Sequence, residues 1–167
     1  HVKETEINKN LPIYLSFDFN IDPATCIIGQ HNDSRIAIHD EIRLRNVSIY
    51  DVCNEIKLRY PDFIYIITGD ASGGAREKAD RDLQSMYDII KMELGINNRS
   101  VQTFNRNPGH HSNKTLLNSI LAHFDISINP KCNYLIQDLD MVRCDEFGKI
   151  DKSNKDLGHL LDCLRYY

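Results

Sequence analysis

The chain has 167 residues, 41% of them hydrophobic, and a formal net charge of -4. One core is within reach, since a domain near 150 residues hides about 68–70% of its unfolded surface, and a single domain over 1–167 is expected. The acidic balance excludes a polycation, so nucleic-acid binding would need local basic patches, bound metal ions or another part of a larger protein.

In chain order, LPIYLSFDF (11–19) reads as a strand rich in β-branched and aromatic residues. ATCIIGQ (24–30) and SRIAIHDEIRL (34–44) follow as strands across the turn-forming HND, which predicts an antiparallel meander. SIYDVCNEIKLRY (48–60) begins on an N-cap Ser and carries Val52, Ile56 and Tyr60 at helical spacing. FIYIIT (63–68) is almost wholly apolar, as in a strand buried on both faces. DRDLQSMYDIIKMELG (80–95) predicts a helix closed by Gly, VQTF (101–104) a strand and SNKTLLNSILAHF (112–124) a helix. ISIN (126–129) is extended, KCNYLIQDLDMV (131–142) helical, and RCDEFGKIDKSN (143–154) a polar hairpin. DLGHLLDCLRYY (156–167) closes the sequence as a helix with two stripes: Leu157, Leu160, Leu161 and Leu164 on one, His159, Asp162 and Tyr166 roughly opposite. A meander followed by alternating helices and strands predicts an α/β fold, a mixed sheet with helices on its faces.

Five scattered cysteines, Cys26, Cys53, Cys132, Cys144 and Cys163, include no CxxC pair, which favours a reducing compartment over a disulfide framework or zinc ribbon. No signal peptide or membrane-length apolar run is legible, so a soluble intracellular domain is expected. The start at His1 rather than Met suggests a fragment of a longer protein.

Two acids end core strands: Asp18 in SFDFN and Asp70 in TGDASGG. Ligands collect at the carboxyl ends of strands in open α/β sheets. Asp70 also fits a turn carboxylate capping the next segment, whereas Asp18, between two phenylalanines, needs an ion pair, hydrogen bonds or a cation. GDASGG is small enough for backbone to approach an anion, but no GxxxxGK[ST] occurs, which excludes ATP hydrolysis by a P-loop. A closing helix laid over the seam between the two strands would bring Asp162 to the other acids. Three carboxylates form a hard, oxygen-rich site suited to Mg²⁺ or Mn²⁺.

SFDFN, TGDASGG after a buried strand and HLLDCLRYY, with INPKCNYLIQDLDMV and DEFGKIDKSNKDLG between, resemble the C-terminal nuclease domain of tailed-bacteriophage terminase large subunits. The resemblance runs in order from residue 11 to 167, and the last helix with its preceding GKIDK is the most specific piece. It implies an RNase H-like fold with a β-hairpin before the C-terminal helix, and a metal-dependent endodeoxyribonuclease that cuts concatemeric double-stranded viral DNA. Asp18, Asp70 and Asp162 match the family's metal-binding acids, with Asp18 bridging two Mg²⁺ or Mn²⁺ ions and His159 orienting Asp162 or a water. Implied partners are an N-terminal ATPase domain of the same protein, the portal and the small terminase subunit; no membrane is involved. The setting is the host cytoplasm during infection, outside the mature virion.

Arg76, Lys78, Arg106, Lys114, Lys149 and Lys152 are candidate DNA contacts on segments expected near the strand ends. Asp156 is expected to cap the last helix, and Asp22 and Asp140 are carried as further acids near the site. His110 and His111 read mainly as an exposed pair in a polar loop. Other readings keep the fold and change the substrate, as in a Holliday-junction resolvase or ribonuclease H, or make the domain a non-catalytic module that docks DNA or the portal.

Overall fold

A computed structural model describes residues 1–19, 22–33, 35–75, 84–107, 109–143 and 153–167, without the side chains of His110, His111 and Asn113. Five strands, β1 (Ile13–Asp18), β2 (Ala24–His31), β3 (Arg35–Leu44), β4 (Tyr65–Gly69) and β5 (Asp125–Ile128), form one sheet in the order β4-β1-β2-β3-β5. The meander β1–β2–β3 is antiparallel, as its short turns dictate, while β4 joins β1 and β5 joins β3 in parallel after helical crossovers. The helices are α1 (Ile49–Arg59), α2 (Met86–Leu94), α3 (His110–His123), α4 (Asn133–Met141) and α5 (His159–Tyr166). Among the described residues, no helix is long and apolar enough to cross a membrane.

Side-chain alternation divides the sheet into two buried faces. Ile13, Leu15 and Phe17 of β1 pack with Cys26, Ile28 and Ile67 against Val52, Cys53, Ile56 of α1 and Tyr87, Ile90 of α2. Ile27, Ile38, Ile126 and Ile128 pack on the other face against Leu135 of α4 and Leu160, Cys163 and Leu164 of α5. Burial of each such side chain is worth about 1.5–3 kcal/mol. Tyr14, Ser16 and Asp18 share the α5 face by the two-residue period. Ser16 buries its hydroxyl there and donates it to the Cys163 carbonyl at 2.7 Å.

Three differences from the elements the sequence predicts bear on the site. VQTF is no strand: Val101 bridges Ile67 and Gln102 N–H donates to the Ile67 carbonyl at 2.8 Å, and after that single rung the chain leaves the sheet edge. The helix expected over 80–95 starts at Met86, because Ser85 is extended, accepts from Asp88 N–H and forms a capping box with it; residues 80–83 lie outside the described residues, and Gly95 ends the helix in the left-handed conformation as expected. The closing helix starts at His159, after Gly158 at φ 95°. The hairpin expected at 143–154 falls almost wholly on 144–152, outside the described residues.

Candidate active site

Parallel pairing of Phe17 with Gly69 brings the ends of β1 and β4 out of the sheet side by side, so Asp18 and Asp70 are neighbours. Asp70 N–H donates to the Phe17 carbonyl at 2.9 Å, one rung beyond the strands. Gly69 permits this turn at φ 144°, where an added Cβ would stand 2.5 Å from the Phe17 carbonyl oxygen. The Asp70 carboxylate is held by its Oδ1, which accepts from Ser72 N–H and from Asn107 Nδ2, both at 2.7 Å. Tyr87 adds a hydroxyl donated to the Asp70 carbonyl at 2.8 Å.

The third acid arrives on α5, which crosses the same face of the sheet. Cys163 is fully buried and, at about 100° per residue, falls between the stripe of His159, Asp162 and Tyr166 and the stripe of Leu160 and Leu164. One continuous buried arc therefore joins the two stripes. The N-terminus of α5 has no side-chain cap of its own. Its amides are taken by Asp138 of α4: Oδ1 accepts from Gly158 N–H at 2.9 Å, and Oδ2 from Leu160 and Leu161 N–H at 2.9 and 3.1 Å.

His159 Nδ1 lies 3.4 Å from Asp18 Oδ2, and its Nε2 lies 2.9 Å from the Lys155 carbonyl. A carbonyl oxygen only accepts, so Nε2 carries a hydrogen, and the contact with Asp18 needs one proton between Nδ1 and the carboxylate. The hydrogen bond to Asp18 raises the His159 pKa despite its burial. Burial pushes the Asp18 carboxyl up; His159 opposes this, and the fields of Asp162 and Asp70 add to the rise. Burial and then the same three carboxylates, Asp162 foremost, keep the Tyr166 phenol protonated. Asp162 Oδ1 accepts from the Arg165 guanidinium.

Asp18, Asp70 and Asp162 are thus within electrostatic reach of one another at one end of the sheet. Among the described residues, no three His, Cys, Asp or Glu side chains stand close enough together to hold one metal ion. Asp18 Oδ2 faces His159, Asp70 Oδ1 accepts from Ser72 and Asn107, and Asp162 Oδ1 accepts from Arg165. By chemistry, hard carboxylate oxygens are the donors a divalent cation prefers, but as placed here the three side chains would have to draw closer to share one ion.

Other candidate residues lie elsewhere. Asp156 does not cap α5: it sits before Gly158 and pairs with Arg43 at 3.3 Å and with Arg45, while Asp138 takes the helix amides. His159, expected to orient Asp162 or a water, has its Nδ1 against Asp18. Asp22 pairs with Arg45 at 3.7 Å, and Asp140 is exposed on α4. Arg106 and Lys114 are exposed, before and on α3. Arg76, Lys78, Lys149 and Lys152 lie outside the described residues, as do the side chains of His110 and His111. Asn107 and Asp138 escape the sequence reading, although Asp138 carried a signal: it falls at i+3 from Leu135 on the apolar stripe of α4.

A mixed sheet with paired acids at the ends of β1 and β4 and a helix closing over them defines an RNase H-like fold. Among solved structures it is similar to the fold of large-terminase nuclease domains. The nuclease domain of the bacteriophage SPP1 large terminase, solved with bound Mn, has a TM-score of 0.60 at 18% identity, covering 99% of this chain and 93% of that one. The bacteriophage P22 nuclease domain gives 0.67 at 15%, over 98% and 83%. The large terminase of the thermophilic bacteriophage D6E, in complex with ADP, gives 0.74 at 16%, over 99% of this chain and 41% of that longer protein. No family model matches the sequence, and no curated protein matches it.

Proposed function

We propose that this chain is the metal-dependent endonuclease domain of a viral DNA-packaging terminase, cutting concatemeric double-stranded DNA. The observation that carries the reading is the side-by-side exit of Asp18 and Asp70 from parallel strands, with Asp162 brought over them by α5. The manganese bound to the SPP1 nuclease domain supports the use of a divalent cation. Asp18, Asp70 and Asp162 would hold two Mg²⁺ or Mn²⁺ ions. When bound, such ions lower the pKa of an attacking water and stabilise the leaving oxygen of a phosphodiester.

The protein's own part is positional. Asn107 and the Ser72 amide orient Asp70. His159 holds a proton against Asp18 that a cation would replace, and Arg165 neutralises Asp162 until it is engaged. DNA affinity would come from Arg106 and Lys114 with Arg76, Lys78, Lys149 and Lys152, each phosphate contact releasing counterions. Within a whole terminase the domain would work beside an N-terminal ATPase domain, the portal and the small subunit, in the infected host's cytoplasm.

Plasmid cleavage with Mn²⁺, Mg²⁺ or EDTA, comparing wild type with Asp70→Ala, tests the reading. Metal-dependent linearisation abolished in the variant is expected. Metal-independent cutting or an unimpaired variant overturns the mechanism, and preference for four-way junctions or RNA–DNA hybrids reassigns the substrate.

A further inference from the structure

Helices α4 and α5 share a local deficiency. The N-cap residues are Cys132 and Gly158, and neither supplies a side-chain cap. Each helix instead takes a carboxylate from another element. Glu41 of β3 accepts from Tyr134 N–H and Leu135 N–H, both at 2.8 Å, in the first turn of α4. Asp138, further along α4, accepts the three amides at the start of α5. Carboxylates suit these positions because the first amides of a helix lack internal partners and carry partial positive charge.

The two caps are in series. Glu41 fixes α4 to the sheet, and Asp138 fixes α5 to α4. The first turn of α5 then presents His159, 3.4 Å from Asp18, and Asp162. An eight-residue helix is marginal alone; Leu160, Cys163 and Leu164 seat its body on the sheet, and the Asp138 cap fixes its first turn.

We infer that Glu41 and Asp138 are positioning residues of the active site, a capping relay that carries the geometry of the sheet through α4 to Asp162. The inference rests on the nuclease reading for the purpose of the relay, and not for its existence. Neither residue touches the reacting groups; both act through α5.

Two measurements on the 167-residue chain test it separately. In the first, Mn²⁺ affinity is titrated for wild type, Asp138→Asn, Asp162→Ala and the double variant. Loss of an outer partner of a metal ligand weakens binding roughly 10–100-fold, so Asp138→Asn is expected to lose about tenfold and to lose nothing further once Asp162 is gone. Unchanged affinity in Asp138→Asn, or an equal loss in both backgrounds, overturns the link to Asp162. In the second, amide hydrogen exchange is followed in Glu41→Gln without metal. Faster exchange in both α4 and α5 is expected; acceleration confined to α4 overturns the relay. Failure of wild type to bind Mn²⁺ would overturn the nuclease reading while the exchange result still decides the relay. Should Asp138→Asn not fold, Glu41→Gln carries both measurements.

Discussion

Asn107 donates its amide to Asp70 Oδ1 at 2.7 Å while accepting from the Ala71 N–H at 2.8 Å, so a single side chain fixes both the carboxylate and the loop beneath it. The amide orientation follows from the Ala71 donor, which only the oxygen of Asn107 can satisfy. Asn107→Ala is expected to weaken Mn²⁺ binding and plasmid cutting by roughly 10–100-fold. Asn107 is half-buried in a loop, so the thermal midpoint should move little. A large loss of stability with unchanged metal affinity would make the residue structural only.

Gly69 is the hinge on which Asp70 leaves the sheet. An alanine there would meet the Phe17 carbonyl oxygen at 2.5 Å and the Tyr87 hydroxyl at 2.9 Å, at a φ of 144°. Backbone strain and overpacking each cost about 1–3 kcal/mol. Gly69→Ala is therefore expected to lose about 2–6 kcal/mol in urea unfolding. A loss below 1 kcal/mol would show that β4 shifts to accommodate the methyl.

His39 makes stability depend on pH below neutrality. It is 2% exposed, its Nδ1 lies 2.9 Å from the Thr5 hydroxyl, and its Nε2 has no hydrogen-bond partner among the described residues. Burial, aided by Lys131 and opposed by Asp40, lowers its pKa from 6.5 to about 4. Below the unfolded value the unfolded chain takes up a proton that the folded one refuses. The contribution is therefore complete above pH 6.5 and declines as pH falls toward 4, by about 3 kcal/mol in all. Thermal unfolding of wild type and His39→Gln between pH 7.5 and 4.5 measures it, and the variant should show the shallower decline. Parallel curves would mean that His39 protonates in place.

Both lines of the site that the strands carry were legible in the sequence. The apolar run before Asp70 and the lone acid between Phe17 and Phe19 marked two strand ends, and β4 does join β1, as expected, at one edge of the meander. The geometry of α5 was only half legible. Its two stripes looked opposed because Cys163 counted for neither; buried between them, it joins them, and even Arg165 exposes only 4% of its side chain. The supporting shell was the least legible. Asn107 lies in a polar loop with no periodicity, and Asp138 meets an amide 20 positions away, a contact that no local pattern announces. Asp156 looked the better cap on adjacency alone, and the left-handed Gly158 removes it from the helix axis.

The contact of His159 with Asp18 spans 141 positions of the chain. During synthesis the strands carrying Asp18 and Asp70 leave the ribosome long before α5, so for much of translation the nascent domain holds two of its acids without the third. A polypeptide broken off between Asp70 and α5 keeps that incomplete set. Under the proposed function, prematurely terminated copies cannot damage the genome they are made to package, and cutting competence arises late, as the closing helix docks.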